Sequence, residues 1–439
     1  MNSISRTRKR KNERGQILLM LAVALPMLLL FLGLAIDAGF AYVTKARLSK
    51  AVDAACLTTM KNLSQGQSVA AALGTNSFNA NYPTTGLDSI PPAVNLTFTT
   101  DANGNTLINA TGTATIKTFF IRILPQFRTV SVADRAQATR AKLVMSLMLD
   151  RSGSMQNNNG WSALPPAVTS FVSDFDDTND YVASISFASN ATVDFPIGHH
   201  FQTPITNLMN TWNKSSFSGG TFGPGGLVLA KAQNDSVVTT ANIVKVAVYF
   251  TDGKVNIIQQ TLSCNGTPTL YNFGGYDSGT DVGFFVPTTG VQIYHYIPPP
   301  TNQWYLCGPP SSDPYCTNTP TNSSCLKNDA GFIPSGGGAT KPFTRANVTA
   351  EAQSEALATA TAMRTEVPNT VIYSIGLGTS VDQTFLQEVA NDPASPTYDP
   401  TQPQGLAVFA PSCPSSQCTA QLQTVFQTIA SKILLRLTR

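Results

Sequence analysis

The stretch LMLDRSGSMQ, residues 147–156, ends an apolar run on an aspartate and follows it with two serines that straddle a glycine. Asp150, Ser152 and Ser154 place three oxygen-bearing side chains within five residues, more than a simple turn requires. One reading is a Ser/Gly-rich turn after a strand, with Asp150 capping the next helix. The other is a site at which the three oxygens converge on a ligand. Asp252, in FTDGK, closes a second apolar run in the same way. Catalytic candidates are few. Of the three histidines, the adjacent pair His199 and His200 cannot easily face one ligand and reads as loop, and His295 stands alone. No G-x-S-x-G, Walker A or H-E-x-x-H occurs. A metal-assisted hydrolase at Asp150 and Asp252 would need a general base nearby, and none stands out. The expectation is a protein that binds rather than catalyses.

The elements that must position these residues begin at Lys142. LVMSLML (143–149), YVASISF (181–187), IVKVAVYF (243–250) and TVIYSIG (370–376) are short, nearly continuous apolar runs. Helical patterns lie between and after them, at 163–175, 225–235, 347–366 and 382–391. Buried strands alternating with helices predict an α/β, doubly wound parallel sheet. Such sheets bind ligands beyond the carboxyl ends of their strands, where strand order reverses. Asp150 and Asp252 both stand at such ends.

With the strands in place, LMLDRSGSM resembles the D-x-S-x-S signature of the metal-ion-dependent adhesion site in von Willebrand factor A domains. SGGTFGPGGLVLA supplies Thr221 in the Gly-Gly-Thr setting which that family places before a helix, and VAVYFTDGK supplies Asp252 after a central strand. VIYSIGLG and the closing LQTVFQTIASKILLRLT also look like the family. The resemblance spans 141–439, apart from an insertion at about 256–346, and implies a mostly parallel, Rossmann-like sheet. It also implies a metal site. Ser152, Ser154 and Thr221 would offer neutral hydroxyls, with Asp150 and Asp252 binding directly or through water. Mg²⁺ suits hard oxygen ligands in near-octahedral geometry and is the first expectation, with Mn²⁺ or Ca²⁺ as alternatives. Two carboxylates against a dication leave the metal electrophilic, so an open position could accept an acidic side chain from a partner protein. Gly153 keeps the loop compact, and the signature leaves the position of Arg151 free.

The opening MNSISRTRKRKNERGQ carries Arg6, Arg8, Lys9, Arg10, Lys11 and Arg14 against the single acid Glu13. Ile17 to Ile36 then runs without a charge, about the twenty residues that span a hydrocarbon core. Pro26 interrupts it, which a membrane helix tolerates. The reading is a basic cytoplasmic segment (1–14), a transmembrane helix (15–37) and a single-pass inner-membrane protein whose bulk is exported. A cleaved signal peptide is the competing reading; against it stand the length of the apolar run and Asp37 near a possible cleavage site. Residues 38–140 read as a membrane-proximal helix and a small sheet. Leu48, Val52, Ala55, Cys56, Met60 and Leu63 form a helical stripe, which packs either on the protein's own next domain or on a partner helix. Residues 64–92 read mostly as loop, VNLTFTT and TLINATGTATI as a hairpin turning at Asn103-Gly104, and TVSVADRAQATR as a further strand. No basic stripe with interleaved aromatics appears, which argues against nucleic-acid binding.

This N-terminal part, RGQILLMLAVALPMLLLFLGLAIDAGFAYVTKARLSKAVDAACL, resembles the anchor of TadG-like proteins of Flp (tight-adherence) pilus systems, and KTFFIRILPQFRTVSVADRAQAT resembles their linker. The resemblance implies an assembly or surface component with a C-terminal von Willebrand A domain. The fifth residue after Gly15 is Met20, not the glutamate that prepilin peptidases favour, so cleavage as a prepilin is not expected.

Charged residues are only 12% of the 439, against roughly 25% in an average soluble chain, which suits an exported protein. Cys264, Cys307, Cys316 and Cys325 fall in the insertion, and Cys413 and Cys418 near the C-terminus. Six cysteines in an exported region predict up to three disulfides that staple a loop too polar to fold on a core. The even count favours pairing within the insertion, and Cys413–Cys418 is the simplest remaining pair, although spacing does not determine connectivity. Zinc is a poor alternative without C-x-x-C or an adjacent histidine ligand. Cys56, on the helical stripe, reads as a buried small residue. Three functions remain: a cation-dependent, partner-binding module in Flp pilus assembly or adhesion, a structural envelope component with a metal-independent A domain, and the hydrolase.

Overall fold

A computed structural model describes residues 14–82, 88–101, 105–157, 159–238, 243–264, 267–275, 282–295, 333–334, 340–341, 345–411 and 417–437. Contacts divide the chain into two units, Met1–Thr139 and Arg140–Arg439.

The first unit is built on α1 (Arg14–Lys61), a 48-residue helix that passes Pro26 without breaking. At 1.5 Å per residue it is about 72 Å long, more than twice a ~30 Å hydrocarbon core, so its two halves do different work. Side chains from Met20 to Leu34 are mostly exposed and apolar. Its most apolar window has a mean hydropathy of 2.3, and the helix is long and apolar enough to cross a membrane. The second half buries Leu48, Val52, Ala55, Cys56 and Met60 against Phe78, Ile108 and Ala110. The helical stripe therefore packs on the protein's own domain.

Residues 67–81, expected to be loop, form helix α2 (Gln67–Asn81). Its Ala70, Gly74 and Phe78 recur every four residues and are buried. Gly74 lets α2 approach α1 closely: a Cβ there would lie 1.9 Å from Thr59 Oγ1. The polar composition that reads as loop is the exposed face of this helix. Strands β1 (Asp88–Thr100) and β2 (Thr106–Lys117) pair antiparallel, and β3 (Thr129–Arg140) completes a sheet of order β1-β2-β3. The expected turn at Asn103-Gly104 lies outside the described residues.

In the second unit, β4 (Lys142–Asp150), β5 (Tyr181–Phe187), β6 (Ala191–Gly198), β7 (Ile243–Thr251), β14 (Thr370–Leu377) and β15 (Leu406–Ala410) form one sheet of order β15-β14-β7-β4-β5-β6. Every pair but β5–β6 is parallel. The chain leaves β4 through a single helical turn, α3 (Ser154–Asn157), toward β5 and returns to β7 on its other side, so order reverses between β4 and β7. Successive side chains point to opposite faces. Leu147, Val248 and Phe250 join α4 (Gly160–Val172), α5 (Gln202–Thr211) and α9 (Cys418–Leu437) in one core. Met148, Ala247 and Tyr249 join α6 (Gly223–Ser236), α7 (Arg345–Thr365) and α8 (Gln383–Ala390) in the other. Covered on both faces, the central strands are continuously apolar, which is why they read so clearly.

The described residues of the insertion include regular strands as well as loop. Strands β8 (Ile257–Cys264), β9 (Thr267–Gly275), β10 (Val282–Phe285) and β11 (Gln292–His295) form an antiparallel sheet in sequential order. Ile258 and Phe273 enter the second core, so the start of the insertion does fold on apolar contacts. Two short strands, β12 (Ile333–Pro334) and β13 (Thr340–Lys341), pair further on. Cys418, which opens α9, is disulfide-bonded. The side chains of Cys264, Cys307, Cys316, Cys325 and Cys413 lie outside the described residues. Cys56 is a free, buried thiol.

Candidate metal-binding site

β4 delivers Asp150 to the carboxyl edge of the sheet at the reversal of strand order, and β7 delivers Thr251 and Asp252 beside it. Asp150 is completely buried. Its Oδ1 accepts the backbone N–H of Ser152 at 2.7 Å, which folds the chain sharply after the strand. Its Oδ2 accepts the Thr251 hydroxyl at 2.6 Å. Asp252, also buried, accepts the Ser154 hydroxyl at 2.5 Å, and the Ser152 and Ser154 oxygens are 3.0 Å apart. Asp150, Ser152, Ser154 and Asp252 thus form one hydrogen-bonded oxygen cluster.

Thr221 arrives on a third loop. Ser218 N–H donates to Arg151 C=O at 2.9 Å and Gly153 N–H to Gly219 C=O at 3.0 Å, which lays this loop along the D-x-S-x-S turn. Gly219 has φ +88°, and a Cβ there would sit 2.4 Å from Ser189 Oγ, so both conformation and space require glycine. Thr221, nearly buried, donates its N–H to Asn256 Oδ1 at 2.8 Å and accepts Asn256 N–H at 3.1 Å. The loop after β7 therefore clasps the Thr221 loop. All five sequence-derived candidates lie at one sheet edge, Asp150 at the end of β4 and the other four on loops tied to it and to one another.

The electrostatics suit a cation. Burial, then the charge of Asp252, pushes Asp150 up to about 7, against hydrogen bonds from Ser152 and Thr251 that pull the other way. Two buried carboxylates set near one another oppose ionisation, and a dication would reverse that cost. The donor set, two carboxylates and three hydroxyls, is the hard-oxygen chemistry of Mg²⁺, Mn²⁺ or Ca²⁺. Among the described residues no three His, Cys, Asp or Glu group together as a metal site. The residues present fit a hard divalent cation.

Two further residues belong to this arrangement. Thr251 stands inside T-D-G, yet the motif draws attention only to the aspartate. Asn256 carries no sequence signal, because its partner is thirty-five residues away and is brought to it by the fold. Arg151 is half-buried against the Trp212 ring, 5.4 Å from its centroid, which makes it structural. His199 and His200 follow β6, whose Gly198 pairs with Val182 at the start of β5. They sit at the opposite sheet edge from Asp150.

A doubly wound sheet with this loop constellation is the architecture of the von Willebrand factor type A domain, and residues 145–264 match the family model of that domain. Domains of this class commonly bind a divalent cation at a metal-ion-dependent adhesion site. Ahead of it, residues 15–61 match the family model Tad, Flp pilus-assembly TadE/G-like. No curated protein matches the chain. Similar solved structures include proximal thread matrix protein 1 from the mussel byssus, with a zinc-occupied MIDAS motif (13% identity, TM-score 0.34, 65% of this chain and 48% of that one). Others are the PilB minor pilin of Streptococcus sanguinis (16%, TM-score 0.37, 79% of each chain) and the vWF domain of the type V pili tip protein Mfa5 of Porphyromonas gingivalis (14%, TM-score 0.36, 68% of this chain and 97% of that one). The chain spans about half the length of the mussel protein. Likenesses this loose carry no functional argument.

Proposed function

We propose that this is a membrane-anchored, exported protein whose A domain holds a divalent cation through Asp150, Ser152, Ser154, Thr221 and Asp252. On this reading it engages an acidic side chain of a protein partner, in Flp/Tad pilus assembly or adhesion. The organisation is a basic segment (1–14), an anchor (15–37), a membrane-proximal region (38–140) and the A domain (141–439). The observation that carries the site is the hydrogen-bonded cluster joining Asp150, Ser152, Ser154 and Asp252, two buried carboxylates held together by hydroxyls. A bound cation would supply an electrophilic centre with a position open to a carboxylate. The protein's own groups would orient it: Thr251 holds Asp150, and Asn256 holds the Thr221 loop.

The test is calorimetric titration of Mg²⁺, Mn²⁺ and Ca²⁺ into the detergent-solubilised full chain, beside Asp150→Ala. Binding that the substitution abolishes is expected. Unchanged binding, or none in the parent protein, would leave the A domain a metal-independent structural module. Capture of Tad pilus components with Mg²⁺ or with EDTA then tests the partner.

A further inference from the structure

Residues 118–128, TFFIRILPQF and the arginine after it, join β2 to β3 as two single 3₁₀ turns, the first packed on α1 and the second on the first. The composition is unusual for a connection, because five large apolar side chains lie open to solvent: Phe119, Phe120, Ile123, Leu124 and Phe127. Ile123 is 78% exposed. A loop in water gains nothing from that arrangement.

Three observations say what covers it. First, the loop is seated on the apolar half of the anchor helix. A Cβ on Gly33 would come within 2.6 Å of the Phe120 side chain. Leu124 and Phe127 share an apolar groove of about 410 Å³ with Met27, Leu30, Phe31 and Leu34. From Asp37 to Met27 is about 15 Å along a helix axis, half of a ~30 Å hydrocarbon core. The exposed surface of the loop is thus continuous with that of the span.

Second, its backbone is prepared for a medium without water, where each unpaired N–H is costly. Asp37 accepts the N–H groups of Phe119, Phe120 and Ile121 at 2.8, 2.9 and 2.8 Å. Thr118, Ile123, Leu124 and Phe127 donate theirs within the loop, and the Thr118 hydroxyl closes on Phe127 C=O at 2.6 Å. Third, exposed cations flank the apolar residues: Lys117 before them, Arg122 among them and Arg128 after them. Their long stems allow the charged ends to reach phosphate at a headgroup layer.

We propose that residues 118–128 are inserted in the exported-side leaflet beside the anchor helix, covered by phospholipid acyl chains, with Lys117, Arg122 and Arg128 on lipid phosphates. The proposal rests on the reading of α1 as a membrane anchor. In it, Asp37 is the clamp that holds a non-helical segment at membrane depth. The membrane-proximal sheet is then joined to the bilayer at two points, the helix and this wedge, which limits its tilt on the anchor.

The test is the full chain reconstituted in phosphatidylethanolamine–phosphatidylglycerol vesicles, with nitroxide-bearing phosphatidylcholine as quencher. Ile123→Trp, Val23→Trp on the anchor and Arg135→Trp on β3 are each read as emission added over the parent protein. Trp at 123 is expected to lose most of its added emission to a nitroxide near the glycerol backbone, and less to one near the acyl methyl end. Trp at 135 is expected to lose none. Quenching at 23 without quenching at 123 overturns the wedge and leaves the anchor standing; a protein helix covering the groove would give that result. No quenching at either position overturns the anchor reading as well.

Discussion

At the scale of single residues, Asp150 is where stability and the proposed cation binding meet. Its carboxyl titrates near 7 in the folded protein, against about 3.8 in an unfolded chain, because burial and Asp252 disfavour its charge. A pKa raised by folding means that the folded state holds the proton more tightly. That contribution is complete below about 3.8 and is lost as pH rises through about 7. The metal-free chain should therefore melt at progressively lower temperature as pH rises from 4 to 7, and Mg²⁺ should raise the melting temperature more at pH 7 than at pH 5. Glu355, pushed up to about 7 by burial and then by Glu351, acts with the same sign. Asp150→Asn should therefore flatten the pH profile without abolishing it. Thr251 offers a finer probe, since its hydroxyl holds the Asp150 carboxylate without belonging to the predicted set. Thr251→Val should weaken Mg²⁺ about 10- to 100-fold by calorimetry while the protein stays folded.

At the scale of elements, two contacts decide whether the supports of the candidate site and of α1 hold. Asp180 accepts both Arg140 guanidinium nitrogens, at 2.8 and 2.5 Å, and the N–H groups of Leu143 and Asp176. Arg140 and Asp180 are both buried, so the pair ties the start of β4 to the turn before β5. Asp180→Ala would strand a buried guanidinium, and should cost about 3–5 kcal/mol in urea unfolding. In the first unit, α2 lies against α1 at Gly74. Gly74→Val should cost about 1–3 kcal/mol and raise amide exchange along 48–60, because the added methyls meet Thr59 and the carbonyl of Ala55.

At the scale of the whole molecule, charge placed in the span tests the anchor. Arg or Asp near the middle of a membrane helix costs about 2.5–3.5 kcal/mol on insertion scales. Leu25→Arg combined with Leu29→Asp should move the protein from the carbonate-resistant membrane fraction toward the soluble one. A chain that remains membrane-bound after both changes would not be held by this helix.

The central sheet and its oxygen-rich loops were legible because they rest on local patterns. A strand buried on both faces must be apolar along its length, and LVMSLML and IVKVAVYF show it without reference to anything distant. D-x-S-x-S is likewise a five-residue pattern. The edge strands β6 and β15 were not legible, since half-buried edges carry weaker periodicity. Nor was α2, whose buried face is small residues that make sense only against α1. Thr251 and Asn256 escaped for a related reason: each acts on a partner far along the chain, Asp150 and Thr221.

By itself, then, the sequence determined the strand–helix alternation, the long apolar N-terminal segment and the oxygen-rich loop, all consequences of local hydrophobicity and side-chain chemistry. Only the tertiary structure decided that LMLDRSGSMQ and FTDGK share a hydrogen-bonded cluster. It alone showed that the stripe in the second half of α1 is covered by its own domain, and that TFFIRILPQF lies on the apolar half of α1 with three of its N–H groups on Asp37. The physical reason is the same in each case. Burial and hydrogen-bond pairing are properties of surfaces that meet, and residues 82 or 101 positions apart meet only when the chain is folded.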